Sequence, residues 1–120
     1  MDLSDFGIAC EEIHQLAREK GWWDAYDLPL TVDDVDIIST KLMLTVSELS
    51  EALEELRNNH DPNDIYFKGE KPEGFPIEIA DAVIRLMDLA EACGFEVETA
   101  IQLKHEYNKS REYRHGGKRV

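Results

Sequence analysis

The chain has 120 residues, of which 42% are hydrophobic, and this predicts one domain, residues 1–120, with a packed core. Its formal net charge of −13 disfavours nucleic-acid binding, because a protein that binds nucleic acid has to neutralise phosphates. No apolar run approaches the roughly 20 residues of a membrane-spanning helix, and the first residues do not resemble a signal peptide. We therefore expect a cytoplasmic protein that binds neither nucleic acid nor membrane.

Apolar spacing along the chain predicts four helices and no strand. The helices are expected at residues 4–20, 32–58, 76–93 and 96–113. Ser4 is the expected N-cap of the first helix, and Gly21 is expected to end it. Thr31 followed by Asp34 resembles a capping box at the start of the second helix. Residues 59–75, which contain two Pro and two Gly, predict a loop.

The second helix has an apolar stripe and an acidic side. The stripe has helical spacing and consists of Leu42, Val46, Leu49, Leu53 and Leu56. Glu48, Glu51 and Glu55 fall on the opposite side. That side either faces water or lines a cavity, and the sequence leaves both interpretations open.

The third helix is apolar over more than half of its circumference. Its remaining arc carries Glu78, Asp81, Arg85 and Asp88. A four-helix monomer would bury only part of such a surface. We therefore expect an all-α, four-helix antiparallel bundle that is completed by homo-oligomerisation, as a homodimer or a dimer of dimers.

Two carboxylate couples are candidate metal ligands. Glu48 and Glu51 lie in the second predicted helix, and Glu78 and Asp81 in the third; each couple has i, i+3 spacing, so its members project from nearly one face. Two such helices packed face to face would bring four anionic donors together, which costs free energy unless a cation occupies the gap. Carboxylates suit hard cations, chiefly Mg²⁺ or Mn²⁺. The plainer interpretation is a solvated acidic face, which a chain with 26 acidic residues produces easily.

The order of these motifs resembles a known family. E-x-x-E, a loop and E-x-x-D on consecutive helices resemble the MazG-like, all-α nucleoside triphosphate pyrophosphohydrolases. The start, I-H-Q-L-A-R-E-K-G-W-W, resembles the first helix of that family, and L-K-H-E-Y-N-K-S-R-E-Y-R-H-G-G-K resembles its end. The resemblance covers almost the whole chain, with the motifs in the same order.

The resemblance implies that Glu48, Glu51, Glu78 and Asp81 bind Mg²⁺, and that the chain hydrolyses a nucleoside or deoxynucleoside triphosphate to the monophosphate and pyrophosphate. Either Glu48 or Glu51 would orient or deprotonate the attacking water, and the sequence does not choose between them. Many members have E-E-x-x-E, whereas Ser47 replaces the first Glu here. That departure leaves the number and affinity of the bound metals open.

The basic C-terminal segment, residues 104–120, is a candidate phosphate-binding region. Its candidate contacts are Lys104, Asn108, Arg111, Lys118 and Arg119. The first three have i, i+4, i+7 spacing and are predicted to share a face of the fourth helix, and Arg suits phosphate oxygens because it binds them in a bidentate manner. The alternative is that these groups pair with the acidic remainder of the chain.

Three further residues are candidate substrate contacts. Lys41 lies near the first carboxylate couple and is a candidate phosphate contact. Trp23 is expected to stack on the nucleobase, and His14 to contact the base or ribose. The alternatives are that Trp22 and Trp23 both close the bundle or a subunit interface, and that His14 is an ordinary surface or core residue.

Two other functions stay open at this point. A non-catalytic acidic helical module that binds a partner or regulates one would have the same composition. A di-iron carboxylate bundle would use Glu-x-x-His pairs on two helices, and the chain has one relevant instance, Glu11-x-x-His14.

Overall fold

The computed structural model describes residues 1–111 and 113 and contains the four predicted α-helices. Their bounds are α1 Ser4–Glu19, α2 Val35–Arg57, α3 Phe75–Cys93 and α4 Val97–Ser110. The described part of the chain contains no helix that is both long and apolar enough to cross a membrane. The fold is thus mainly helical, as the sequence predicts.

Helix ends follow the predicted capping residues with one exception. Thr31 and Asp34 form the capping box, although it starts a short 3₁₀ turn, Val32–Asp34, that precedes α2. Gly21 has a left-handed φ of 81° just beyond α1. The prediction that Ser4 is the N-cap is wrong: Ser4 is already helical, and its backbone N–H and hydroxyl donate to Oδ1 of Asp2. Asp2 therefore satisfies a donor at this helix terminus.

The prediction of no strand is wrong, because the 59–75 segment contains a β-hairpin. Strands β1 Tyr66–Lys68 and β2 Lys71–Glu73 pair antiparallel, with Tyr66 opposite Glu73. Gly74 then leads into α3 with φ 120°, and a Cβ there would collide with the carbonyl oxygen of Asp64. Each strand has three residues, too few to show the period-2 pattern by which longer strands are predicted.

Helix α3 lies at the centre of the packing. It contacts α1, α2, α4 and strand β2, whereas α4 packs on α1 and α3 and makes no contact with α2. A buried cluster joins α1, the 21–31 connector and α3, and consists of Ala17, Trp23, Leu30, Leu89 and Ala92. The backbone N–H of Leu30 donates to the carbonyl of Ala92 at 2.8 Å, which fixes the connector against the end of α3.

Helix α2 turns its acidic side towards α3. That inward side consists of Lys41, Thr45, Glu48, Ala52 and Glu55, with Thr45 and Ala52 fully buried. The residues of the apolar stripe are instead exposed, from 39% for Leu56 to 54% for Leu53. Of the predicted acidic side, Glu48 and Glu55 are therefore directed towards α3, whereas Glu51 is exposed to solvent.

Candidate metal centre

Three of the four predicted ligands meet where α2 packs on α3. Glu48 of α2 and Glu78 and Asp81 of α3 each offer one carboxylate oxygen, and these oxygens all lie within 4.8 Å of one another. Glu78 and Asp81 share a face of α3 because of their i, i+3 spacing, and the helix packing brings Glu48 to that face. We call these three residues the metal triad.

Glu51, the fourth predicted ligand, lies beside the metal triad on its exposed edge. It is one turn beyond Glu48 on α2 and is solvent-exposed, whereas Glu78 is 7% exposed. Burial, followed by a hydrogen bond with Glu51 and the negative charges of Glu51, Asp81 and Glu48, raises the pKa of Glu78 to about 7. The same repulsion would be relieved by a cation among these oxygens.

The carboxylates of the metal triad, of which Glu78 is buried and Glu48 and Asp81 are half-buried, fit a hard divalent cation. Oε2 of Glu78 is buried and has no hydrogen-bond partner among the described residues. Burial, and then the charge of Glu48, also raises the pKa of Asp81. A buried carboxylate oxygen without a donor is costly, and an all-carboxylate donor set suits Mg²⁺ or Mn²⁺ better than softer metals. Glu48, Glu78 and Asp81, with Glu51 adjacent, are therefore suitable ligands for such an ion.

Arg85 is a cation next to the metal triad, and its ion-pair partner differs from the one that helical spacing suggests. Four residues after Asp81, it is positioned in sequence to pair with that carboxylate. In the structure its Nε donates to Oε1 of Glu48 at 3.0 Å, from α3 to α2. The Arg85 charge still acts on Asp81, whose pKa it lowers against the larger effect of burial.

A cleft of about 360 Å³ opens beside the metal triad. Its walls carry acidic, basic and aromatic groups, which include Glu48, Asp81, Asp88, Lys41, Arg85, Trp22 and Trp23. A cleft with cations and an aromatic side chain next to a carboxylate centre suits an anionic ligand that has a flat apolar part.

Trp23 is a core residue at the floor of this cleft. It is 4% exposed, and its Nε1 donates to both oxygens of Asp88 at 3.0 Å. The rings of His14 and Tyr26 meet it edge-on, and Nζ of Lys41 lies 4.6 Å from its ring centroid. With these neighbours around it, Trp23 offers little free ring surface for stacking, and its neighbour Trp22, 62% exposed, borders the same cleft.

His14 is anchored away from the metal triad. Its Nδ1 lies 2.7 Å from Oδ1 of Asp88, with side-chain exposures of 12% and 18% for the two residues. His14 borders a second, more open cleft together with Arg18 and Glu91. The pair with Asp88 links α1 to α3, so the structure gives His14 a clear packing role.

The predicted phosphate contacts of α4 are not brought to the metal triad within one chain. Lys104 and Asn108 border a shallow groove on α4 itself. α4 ends at Ser110, and Arg111 is its C-cap residue, with φ −76° and ψ 150°. Lys104 and Arg111 both approach the ring of Tyr107, at 4.8 and 5.9 Å from its centroid. Lys118 and Arg119 lie outside the described residues.

Sequence reasoning missed several residues of the site. Asp88 and Arg85 had a usable signal, since they follow Asp81 by seven and four residues and so share its helical face. Trp22 had a signal that did not separate it from Trp23, because the two residues are adjacent and of the same type.

Comparison of the chain with protein-family models, with curated proteins and with solved structures finds no match. The resemblance to the MazG-like family therefore rests on the order and spacing of the motifs.

Proposed function

We propose that the chain is a Mg²⁺-dependent nucleoside triphosphate pyrophosphohydrolase that cleaves the α–β phosphoanhydride bond and yields a monophosphate and pyrophosphate. The observation that carries the proposal is the metal triad, three carboxylates from two helices within 4.8 Å, with an unpartnered buried oxygen on Glu78. The adjoining cleft, with Lys41, Arg85 and Trp22, supports a substrate that combines phosphates with a base.

The four carboxylates divide into metal ligands and a general base in this proposal. Glu48, Glu78 and Asp81 hold the metal, and Mg²⁺ when bound neutralises phosphate charge and lowers the pKa of a bound water. Glu51 is the better candidate for general base, because it is exposed beside the triad while Glu48 is already paired with Arg85. Glu51 would accept the proton of the water that attacks the α-phosphorus.

The cleft residues bind the substrate in this proposal. Arg85 suits phosphate oxygens because its guanidinium can donate two parallel hydrogen bonds, and Lys41 adds a second positive charge. Trp22 takes the stacking role that the sequence assigned to Trp23, because its ring is exposed at the cleft. Base–aromatic stacking tolerates different bases, so specificity has to come from other groups.

A homodimer or a dimer of dimers is part of the proposal. The stripe on α2 would be covered by a second copy, since an apolar surface that runs along a whole helix is typical of an interface. Lys104, Asn108 and Arg111 would reach a phosphate at the site of a second copy, since α4 makes no contact in its own chain with α2, the helix of Glu48 and Glu51.

The proposal is tested by measuring pyrophosphate release from ribo- and deoxyribonucleoside triphosphates, with dUTP and 8-oxo-dGTP included, in Mg²⁺ and in EDTA. We expect Mg²⁺-dependent pyrophosphate, lost in Glu51→Gln and kept in Glu54→Gln, an exposed change on the same helix. Orthophosphate as the product would contradict cleavage at the α–β bond. Folded protein that binds Mg²⁺ but turns over no nucleotide would favour a binding-only function.

A further inference from the structure

The hairpin carries two lysines on the face that packs against the helices. Tyr66 of β1 pairs with Glu73 of β2, and two positions nearer the turn Lys68 pairs with Lys71. Because side chains alternate between the two faces of a strand, all four of these residues share one face. On that face Tyr66 Oη donates to Glu55 of α2 at 2.8 Å. Lys68 and Lys71, which we call the lysine pair, therefore extend from the side of the hairpin that is turned towards α2 and α3.

The backbone of the hairpin is anchored at its base. Tyr66 bonds to both oxygens of Glu55, and Nδ1 of His60 lies 2.7 Å from Oε2 of the same carboxylate. At the other strand, Gly74 lies so close to the carbonyl oxygen of Asp64 that a Cβ has no space. These contacts fix where the lysine pair starts, while the long lysine side chains stay free to move.

Lys71 lies close to the carboxylates of the metal triad. Its Nζ is 3.2 Å from Oε1 of Glu73, and an oxygen of Glu73 lies within 4.8 Å of one of Glu78. The hydrogen bond and charge of Glu73, followed by the charge of Glu78, raise the pKa of Lys71. Burial raises the pKa of Asp81, whereas the charges of Arg85 and Lys71 lower it. The metal triad therefore lies between one cation of α3 and another of the hairpin.

The lysine pair and the cleft lie at opposite ends of the metal triad. Along α2 the cleft borders Lys41 and the hairpin contacts Glu55, with Glu48 between them. Along α3 the cleft extends beyond Asp81 to Asp88, whereas the hairpin leads directly into the first turn. A triphosphate with its base in the cleft and its α-phosphate at the metal triad would therefore direct its β- and γ-phosphates towards the hairpin.

Both lysines have charge available for an anionic ligand. The Lys71 side chain is 76% exposed, and an exposed ion pair such as the one with Glu73 is weak. Lys68 is exposed and forms no ion pair with the residues that the structure describes. In a chain with a net charge of −13, two adjacent cations beside a carboxylate centre are a local exception that suits a phosphate group.

We propose that Lys68 and Lys71 bind the β- and γ-phosphates of the substrate and hold the pyrophosphate as it leaves. This inference rests on the proposed function and adds the groups that contact the leaving product. Lys71 would exchange its exposed pair with Glu73 for a phosphate oxygen. The hairpin thereby gains a function, because its register sets both lysines on the side of the metal triad.

The test compares the KM for the triphosphate with the inhibition constants of pyrophosphate and monophosphate, in saturating Mg²⁺ at about 0.15 M ionic strength. We expect Lys71→Gln and Lys68→Gln each to raise KM and the pyrophosphate constant about fivefold to tenfold, and to leave the monophosphate constant unchanged. Lys71→Arg should keep most of the pyrophosphate affinity. Lys109→Gln, which breaks an exposed pair on α4, is the matched control.

Glu73→Gln should have the opposite effect on pyrophosphate. It frees Lys71 and removes a negative charge beside the phosphates, so the pyrophosphate constant should fall several-fold. If Lys71 and Glu73 only stabilise the hairpin as a pair, both substitutions should weaken binding alike. Weaker pyrophosphate binding in Glu73→Gln would therefore contradict the exchange of Lys71 between Glu73 and phosphate.

Calorimetry with Mg²⁺ and pyrophosphate repeats the comparison without turnover and separates the two proposals. Unchanged pyrophosphate affinity in Lys71→Gln and Lys68→Gln, with pyrophosphate release by the wild type, would overturn the lysine pair and leave the proposed function standing. Lower affinity in both variants, with no nucleotide turned over by the wild type, would support phosphate binding by the lysine pair and contradict the proposed function. Circular dichroism checks folding; if Lys71→Gln does not fold, Lys68→Gln, which breaks no ion pair, decides.

Discussion

Arg85 and Glu48 form an ion pair that joins the two helices of the metal triad, with Nε 3.0 Å from Oε1. The Glu48 side chain is 12% exposed and that of Arg85 is 40% exposed, so the pair is buried on one side and open to the cleft on the other. A divalent cation bound at the metal triad would therefore compete with Arg85 for the same carboxylate.

Arg85→Gln should tighten Mg²⁺ binding, because it removes a positive charge next to the metal ligands. We expect a gain of about threefold to tenfold in affinity, or ~1 kcal/mol, measured by calorimetry without nucleotide. The same change should raise KM for the triphosphate if Arg85 binds phosphate. Arg57→Gln, which breaks an exposed pair with Glu54, is the matched control. Weaker Mg²⁺ binding in Arg85→Gln would show that Arg85 organises Glu48 for the metal rather than competing with it.

Glu51→Gln should abolish turnover and weaken Mg²⁺ binding while leaving the fold intact. Without metal the variant should be as stable as the wild type or more stable by about 1 kcal/mol, because it removes one of the like charges around Glu78. Thermal unfolding in EDTA measures this, with Glu54→Gln as control. A marked loss of stability in EDTA would identify Glu51 as a structural partner.

The stability of the metal-free protein should depend on pH through Glu78. Its pKa is raised from 4.5 to about 7 in the folded state, so the folded chain holds a proton that the unfolded chain has lost. The contribution to the free energy of unfolding therefore falls as pH rises from about 4.5 to 7. Relative to Glu78→Gln, the free energy of unfolding of the wild type should therefore fall by on the order of 2–3 kcal/mol across this window, since one pKa unit is about 1.4 kcal/mol.

Denaturant unfolding in EDTA at pH 5 and pH 8 measures that shift, with Glu70→Gln as the exposed control. If the difference in free energy of unfolding between wild type and Glu78→Gln were the same at both pH values, Glu78 would be ionised throughout this range. Mg²⁺ binding should tighten over the same pH window and release protons, because the metal binds the deprotonated carboxylate.

Adjacent tryptophans should give opposite results on substitution. Trp23→Ala should destabilise the fold by about 3–5 kcal/mol, because it leaves a cavity in the buried cluster and removes the donor to Asp88. Trp22→Ala should change stability little and raise KM for the nucleotide several-fold, because that ring is exposed at the cleft. Urea unfolding and steady-state kinetics separate the two effects. An unchanged KM in Trp22→Ala would remove Trp22 from the binding site.

The oligomeric state should depend on the apolar stripe of α2. We expect the wild type to sediment with twice the mass of one chain or more, and Leu49→Glu combined with Leu53→Glu to sediment as a folded monomer, because both positions are about half exposed in the single chain. Val32→Glu, at an exposed position outside the stripe, should leave the assembly intact. A monomeric wild type would contradict homo-oligomerisation.

How far the sequence predicts the site depends on the range of the interactions involved. The position of Glu78 and Asp81 on one face of α3 follows from helical spacing, which is a local pattern. The pairing of Glu48 with Arg85 joins residues 37 positions apart, and spacing within α3 alone points instead to Asp81. The two tryptophans are adjacent and chemically alike, so only packing distinguishes the buried Trp23 from the exposed Trp22.

The sequence by itself determined the four helices, the capping box of Thr31 and Asp34, and the two carboxylate couples, because helix formation and capping depend on neighbours within a few positions. Only the tertiary structure decided that Glu48 and Glu55 on the acidic side of α2 face α3 while Glu51 is exposed, and that a hairpin brings Glu73 to Glu78. Those contacts depend on which surfaces of distant segments pack together. For a helix with one apolar and one acidic side, periodicity identifies both sides without showing which one faces the interior.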